Sequence, residues 1–155
     1  MEQEKIESIE AELEHAVENF ESSLDDVKAE RLRRATSGFY FTLEHLAKAL
    51  LQTVGVEVES HGAVTRMLGL HFVKSASLPA RVTRHLGSLY ERRYTAEYSP
   101  RAAWEFTSEE VHTYLGWVKE SAVDILKELQ KNAPEHEAKL KEMNDMLIKA
   151  QYLYK

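Results

Sequence analysis

Between Val111 and Leu129 the apolar residues Val111, Leu115, Val118, Ala122, Ile125 and Leu129 recur alternately four and three positions apart. On an α-helix of about 3.6 residues per turn this spacing gathers one apolar stripe. A strand, whose side chains alternate between faces, would scatter the same residues over both. The pattern is not confined to this segment. Leu32, Thr36, Phe39, Leu43, Leu46 and Leu50 repeat it, and Ile6, Ile9, Leu13, Ala16, Phe20 and Val27 occupy heptad positions that Val17 and Leu24 widen. Three such seams and no stretch of sustained period-two alternation predict an all-α fold, with antiparallel helices packed at shallow crossing angles.

The remaining elements follow from punctuation. The three prolines, Pro79, Pro100 and Pro134, read as breaks between helices. "TVGVEVES" is too β-branched and too interrupted by glycine to continue the second helix, which places a loop at about 54–60. A shorter helix is expected through Val64, Leu68 and Phe72. Ser77 is expected to cap the next, with Pro79 in its first turn and Val82, Leu86 and Leu89 as its seam. Thr107 and Glu110 form a capping box, with Phe106 able to staple against Val111. "NAP" at 132–134 ends that helix, and Leu140, Met143, Leu147, Ala150 and Tyr154 outline a last one. The expected architecture is an up-and-down antiparallel four- to five-helix bundle over residues 1–131, with residues 132–155 as a C-terminal helical extension of the same domain.

Composition narrows the function classes. A chain of 155 residues can bury a core without staples. The absence of cysteine excludes a disulfide scaffold and any Cys-ligated metal, and suits a reducing cytoplasm. The acidic, amphipathic start resembles neither a signal nor a transit peptide, and no apolar run is long enough to span a bilayer. A cytoplasmic protein is therefore expected. Its net charge of -6 is unevenly spread: -9 over residues 1–30, +6 over 31–101 and -3 over 102–155. The basic middle either meets a polyanion or neutralises the acidic first helix.

Catalytic signatures are sparse. The sequence has no glycine-rich phosphate loop, zinc-protease helix or serine elbow. Glu12–His15 and Glu109–His112 have the Glu-x-x-His spacing of di-metal bundles. The first pair lies in the most acidic helix and Glu109 is committed to a helix start, so no metal and no other cofactor is expected. Two polar features remain. In "SGFYFTLEHLAKALL", Tyr40, Glu44 and Lys48 form an i, i+4, i+8 line, and His45 sits beside the Leu46 seam. There it can orient an arginine or move a proton, or be a core histidine bonded to a carbonyl. In "LYERRYTAEYSPR", Tyr90, Arg93 and Glu97 share one helix face, and Tyr94 and Tyr98 an adjacent one.

Three segments, "SGFYFTLEHLAKALL", "SHGAVTRMLGLHFVKSASLP" and "LYERRYTAEY", in this order and spacing, resemble the HEPN superfamily (higher eukaryotes and prokaryotes nucleotide-binding), and within it an uncharacterised prokaryotic subfamily. The likeness spans about residues 10–130. It is carried by Ser37, Tyr40, His45, Lys48, Ser60, His61, Val64, His71, Phe72, Lys74, Leu78, Pro79, Arg93 and Tyr98.

The resemblance implies a helical bundle that commonly dimerises and works beside a minimal nucleotidyltransferase. Many such proteins are metal-independent ribonucleases of toxin–antitoxin and defence systems, with an Arg, four to six residues and then a His at a dimer cleft. In that chemistry the arginine binds the scissile phosphate and the histidine moves a proton. This chain departs from the pattern: four residues separate Arg93 from Tyr98, a phenol with an ordinary pKa of about 10, and Gly38 and Glu97 replace the usual Arg and Asp.

The resemblance thus implies Arg93, Tyr98 and His45 as the catalytic candidates. Ser37, Tyr40, Lys48, His61, Arg92 and Arg93 are the RNA- or nucleotide-binding candidates, and His61 shares with His45 the prospect of replacing the missing acid–base group. Two readings stay open: a homodimeric RNA or nucleotide binder of a two-component, toxin–antitoxin-like system with at most weak ribonuclease activity, or a non-catalytic helical interaction module. In the second, Arg93 bridges to Glu44 or Glu97 and Tyr98 caps its helix beside Trp104.

Overall fold

A computed structural model describes residues 2–101 and 105–153, with the side chains of 152 and 153 left aside. The described residues are mostly helical and include no strand. Helix α1 spans Glu2–Lys28, α2 Leu32–Gln52, α3 His61–Leu68, α4 Arg81–Tyr98, α5 Ser108–Asn132 and α6 Glu137–Leu153. The four long helices α1, α2, α4 and α5 form the bundle, and α6 packs against α1 and α5.

Helix α2 is the central element, in contact with α1, α3, α4 and α5. Its sequence explains that position. Besides the expected seam, Ala35, Tyr40, Thr42, Glu44, Ala47, Ala49 and Leu51 are buried, so the helix is covered nearly all round. Its buried hydroxyls close onto its own backbone: Thr36 Oγ1 donates to Leu32 O at 2.9 Å and Thr42 Oγ1 to Gly38 O at 2.8 Å. At Gly38 the first two helices come so close that an added Cβ would lie 1.9 Å from Ser23 Oγ. The arginine whose absence was noted at this position would have to displace the Ser23 hydroxyl.

All six residues of the Val111–Leu129 seam are buried, as are Ile9, Leu13, Ala16, Phe20 and Val27 of α1 and Leu140, Met143, Leu147 and Ala150 of α6. Tyr154, expected to extend the α6 stripe, lies outside the described residues. The chain turns out of α2 through residues 53–60, with Gly55 at φ 76°, a conformation that disfavours a side chain. The three prolines lie between α-helices.

Two local expectations need correction. Ser77 does not cap α4: that helix starts at Arg81, with Ala80 at its N-cap and no side-chain cap bond. The amides of Ser77 and Leu78 are committed to Phe72 O, at 2.8 and 3.0 Å, because α3 runs on through a π turn at Gly69–Val73. The Ser77 hydroxyl pairs with that of Ser75. The capping box forms only by half. Thr107 Oγ1 accepts the Glu110 amide at 3.1 Å, but the Glu110 carboxylate turns to Arg92 rather than back to residue 107.

Candidate functional site

The i, i+4, i+8 line of α2 becomes a buried polar cluster. Glu44 carries a carboxylate with a side chain only 4% exposed. Tyr40 donates its hydroxyl to Oε2, and Lys48 Nζ lies 3.2 Å from Oε1. The fourth member comes from α3. Ser60 caps that helix by accepting the Ala63 amide, so the chain enters α3 with His61 as its first residue, set against α2. His61 Nδ1 contacts Glu44 Oε2 and lies 2.7 Å from the Tyr40 hydroxyl. Nδ1 is thereby engaged, and the imidazole, 31% exposed, keeps Nε2 as its other polar atom.

Electrostatics settle the protonation states of two members. Burial, the hydrogen bond to Glu44 and the Glu44 charge push the Tyr40 phenol far above its ordinary range, so Tyr40 stays a neutral donor. Burial alone would raise Glu44. Hydrogen bonds from Tyr40 and His61 and the charge of Lys48 outweigh it and hold the carboxyl below its ordinary value of 4.5.

Helix α4 closes the cluster. Tyr90 meets the Tyr40 and His61 rings at centroid distances of 5.6 and 5.1 Å, and Phe41 meets Tyr40 at 5.4 Å. One turn along α4, the Arg93 guanidinium lies over the Phe41 ring, 5.1 Å from its centroid. Its Nε and Nη2 each lie 3.2 Å from a Glu97 oxygen, and the side chain is 15% exposed. Ser37 donates to Glu97 at 3.3 Å. Ser37, Tyr40, Lys48, His61 and Arg93 are therefore joined in one continuous set of contacts.

Three other candidates lie apart from it. Arg92, one residue and about 100° away on the helix, faces α5: it bonds the Tyr114 hydroxyl at 2.8 Å and Glu110 at 3.3 Å, and lies over the Phe106 ring. His45 faces α1, where Nδ1 lies 2.6 Å from Glu12 Oε2 and the ring stacks on His15. It is bonded to a carboxylate rather than to a carbonyl. Tyr98 is 62% exposed and packs on Tyr94 at 4.8 Å. Trp104, its expected neighbour, lies outside the described residues. Of the two partners considered for Arg93, the structure realises Glu97.

Sequence reasoning did not find the residues beyond Ser37. Arg33, Ser37 and Phe41 form a second i, i+4, i+8 ridge on α2, and that spacing was the available signal. Among the described residues, no cluster of three or more His, Asp or Glu is placed to hold a metal. No described helix is long and apolar enough to cross a membrane.

A helical bundle with a buried Tyr–Glu–His cluster beside a stacked arginine is the class that fold and geometry define. The chain matches the HEPN domain over residues 9–121 and belongs to that family. It is 28% identical over 124 residues to "Putative toxin MJ0605" of Methanocaldococcus jannaschii, covering 77% of this chain and 92% of that protein. "Putative toxin MJ0142" of the same organism is 30% identical over 108 residues, covering 67% and 72%. A shorter match, 39% over 56 residues, joins it to "UPF0332 protein PH1297" of Pyrococcus horikoshii, covering 36% of this chain and 39% of that protein.

Proposed function

We propose that this chain is an RNA- or nucleotide-binding HEPN protein of a two-component, toxin–antitoxin-like system, acting as a homodimer beside a partner such as a minimal nucleotidyltransferase. The toxin reading is carried by the names of its relatives. Phosphate binding is carried by one observation: Arg93, held over the Phe41 ring, adjoins a cluster of groups able to contact a nucleotide. Glu97 competes for the guanidinium, so a phosphate binds by displacing that carboxylate.

The Arg93–Glu97 pair supplies the test. Arg93→Ala is expected to weaken a single-stranded RNA complex by about 1.5–3 kcal/mol, the range for a hydrogen bond to a charged group, or roughly 10- to 150-fold. Glu97→Gln is expected to tighten it. Fluorescence anisotropy across a salt series reads both, since phosphate contacts make affinity fall with salt. If wild type and Arg93→Ala bind alike, or neither binds at low salt, Arg93 is a structural residue and the interaction-module reading takes its place.

The contact between Glu44 and His61 favours a second reading, weak metal-independent ribonuclease activity. With Nδ1 held by Glu44 and Tyr40, His61 presents Nε2 as the group that moves a proton, a task for which Tyr98 is poorly suited. In chelator-treated reactions with total RNA, cleavage is expected to fall at least 100-fold in His61→Ala and in Arg93→Ala, in line with general acid–base contributions of about 10²–10⁴. Cleavage at the wild-type rate by His61→Ala would remove it from the chemistry.

A further inference from the structure

The ridge Arg33, Ser37, Phe41 leads from Arg93 into a groove of about 430 Å³ between the end of α1, the start of α2 and the end of α4. Its floor is the close approach of Gly38 to Ser23. Its walls carry Asn19, Ser22, Asp26, Arg33, Arg34 and Glu97. The two carboxylates are already matched, Asp26 by Arg31 at 2.7 Å and Glu97 by Arg93. Arg33 and Arg34 are exposed, and their side chains make no hydrogen bond or ion pair with any described residue. The groove therefore presents two uncommitted guanidinium groups, whereas most of the neighbouring arginines of α4 are neutralised.

We infer that this groove is a second phosphate subsite, and that the ligand of the Arg93 site is a single-stranded polynucleotide rather than a mononucleotide. The inference rests on the phosphate-binding reading of Arg93. Geometry carries it further. Arg33 and Phe41 are eight residues apart, a rise of about 12 Å along a helix. A phosphate at Arg93, over Phe41, therefore sits about two helical turns from the backbone of Arg33. A chain of nucleotides spans that distance, with successive phosphates running past Ser37 to Arg33 and Arg34. Guanidinium forks take phosphate oxygens in pairs. The Ser22 hydroxyl, unbonded among the described residues, is a partner for a ribose or a base edge. A positively charged groove that follows the backbone, beside aromatic rings, is how single strands are held without base pairing.

The test compares two probes, a fluorescein-labelled single-stranded RNA oligonucleotide and a labelled adenosine monophosphate, on the full chain. The double variant Arg33→Ala/Arg34→Ala is expected to bind the oligonucleotide at least tenfold more weakly at low salt. The slope of log K against log salt should flatten by about 1.4, the value for two single-strand phosphate contacts. Binding of the mononucleotide should be unchanged. The charge-retaining Arg33→Lys/Arg34→Lys variant should recover most of the slope.

A wild-type affinity and slope for the alanine pair, with Arg93→Ala still weakened, would overturn the subsite and leave the Arg93 reading standing. No oligonucleotide binding by the wild type would remove both. If polyglutamate displaces the RNA at matched charge, the groove is a dock for an acidic protein and the RNA assignment falls. Because both side chains are exposed, circular dichroism of the variants should match wild type.

Discussion

Replacing Glu44 with alanine is expected to lower the unfolding free energy by about 2–3 kcal/mol, read from urea midpoints at neutral pH. Removing one partner of a fully buried ion pair costs about 3–5 kcal/mol. Here the loss should fall near or below the lower end, because His61 and Lys48 both reach solvent and need not stay buried as uncompensated charges. Glu44→Gln keeps the shape and accepts the Tyr40 hydroxyl, so its cost should be smaller.

The two proteins should also differ in acid. Glu44 is held below its ordinary value of 4.5 in the fold by Tyr40, His61 and Lys48, against the upward push of burial. Its contribution is complete above that value. As the pH falls below 4.5, the unfolded chain takes up the proton first, and the contribution is lost as the pH passes through the lower folded value. Glu44→Gln should show a shallower fall of stability through that window. Equal slopes for wild type and Glu44→Gln would mean that the cluster does not stabilise the ionised carboxylate.

Phe39→Ala should be the more damaging change, at about 3–5 kcal/mol for deleting a buried aromatic ring. Phe39 is fully buried and faces Phe20 of α1 at a centroid distance of 6.2 Å. The bundle has little means of closing the hole, because α2 is held from α1, α3, α4 and α5 at once. Phe39→Leu should lose distinctly less. A loss below about 1 kcal/mol for the alanine variant would show that the α1–α2 seam collapses around the gap.

The two variants also mark the reach of sequence reasoning. Phe39 is predicted as a core residue from the period of its own helix alone, as are Leu43, Leu46 and Leu50, and all are buried. The Tyr40–Glu44–Lys48 line is legible for the same reason, since residues four apart on a helix meet. The Thr107 cap is legible because donor and acceptor lie three residues apart. Ser77 failed as a cap although the signal was local. The π turn holds the chain as far as Leu78, so α4 begins only at Arg81, out of reach of a Ser77 cap.

Arg92 and Arg93 cannot be ranked by composition or spacing. They differ by one residue, and only the packing of α4 turns the first toward Tyr114 and the second toward Phe41. On α2, the rotation of that helix likewise sends His45 to Glu12 while Glu44, its neighbour, meets His61.

Helix content and seams therefore follow from the chain's local order, because backbone hydrogen bonds and helical period act over three or four residues. The site does not. His61 lies 17 residues from Glu44 and Glu97 lies 60 from Ser37. Those pairs meet only because the burial of every seam together sets the rotation and offset of each helix, a sum over the whole fold that no segment of the sequence carries alone.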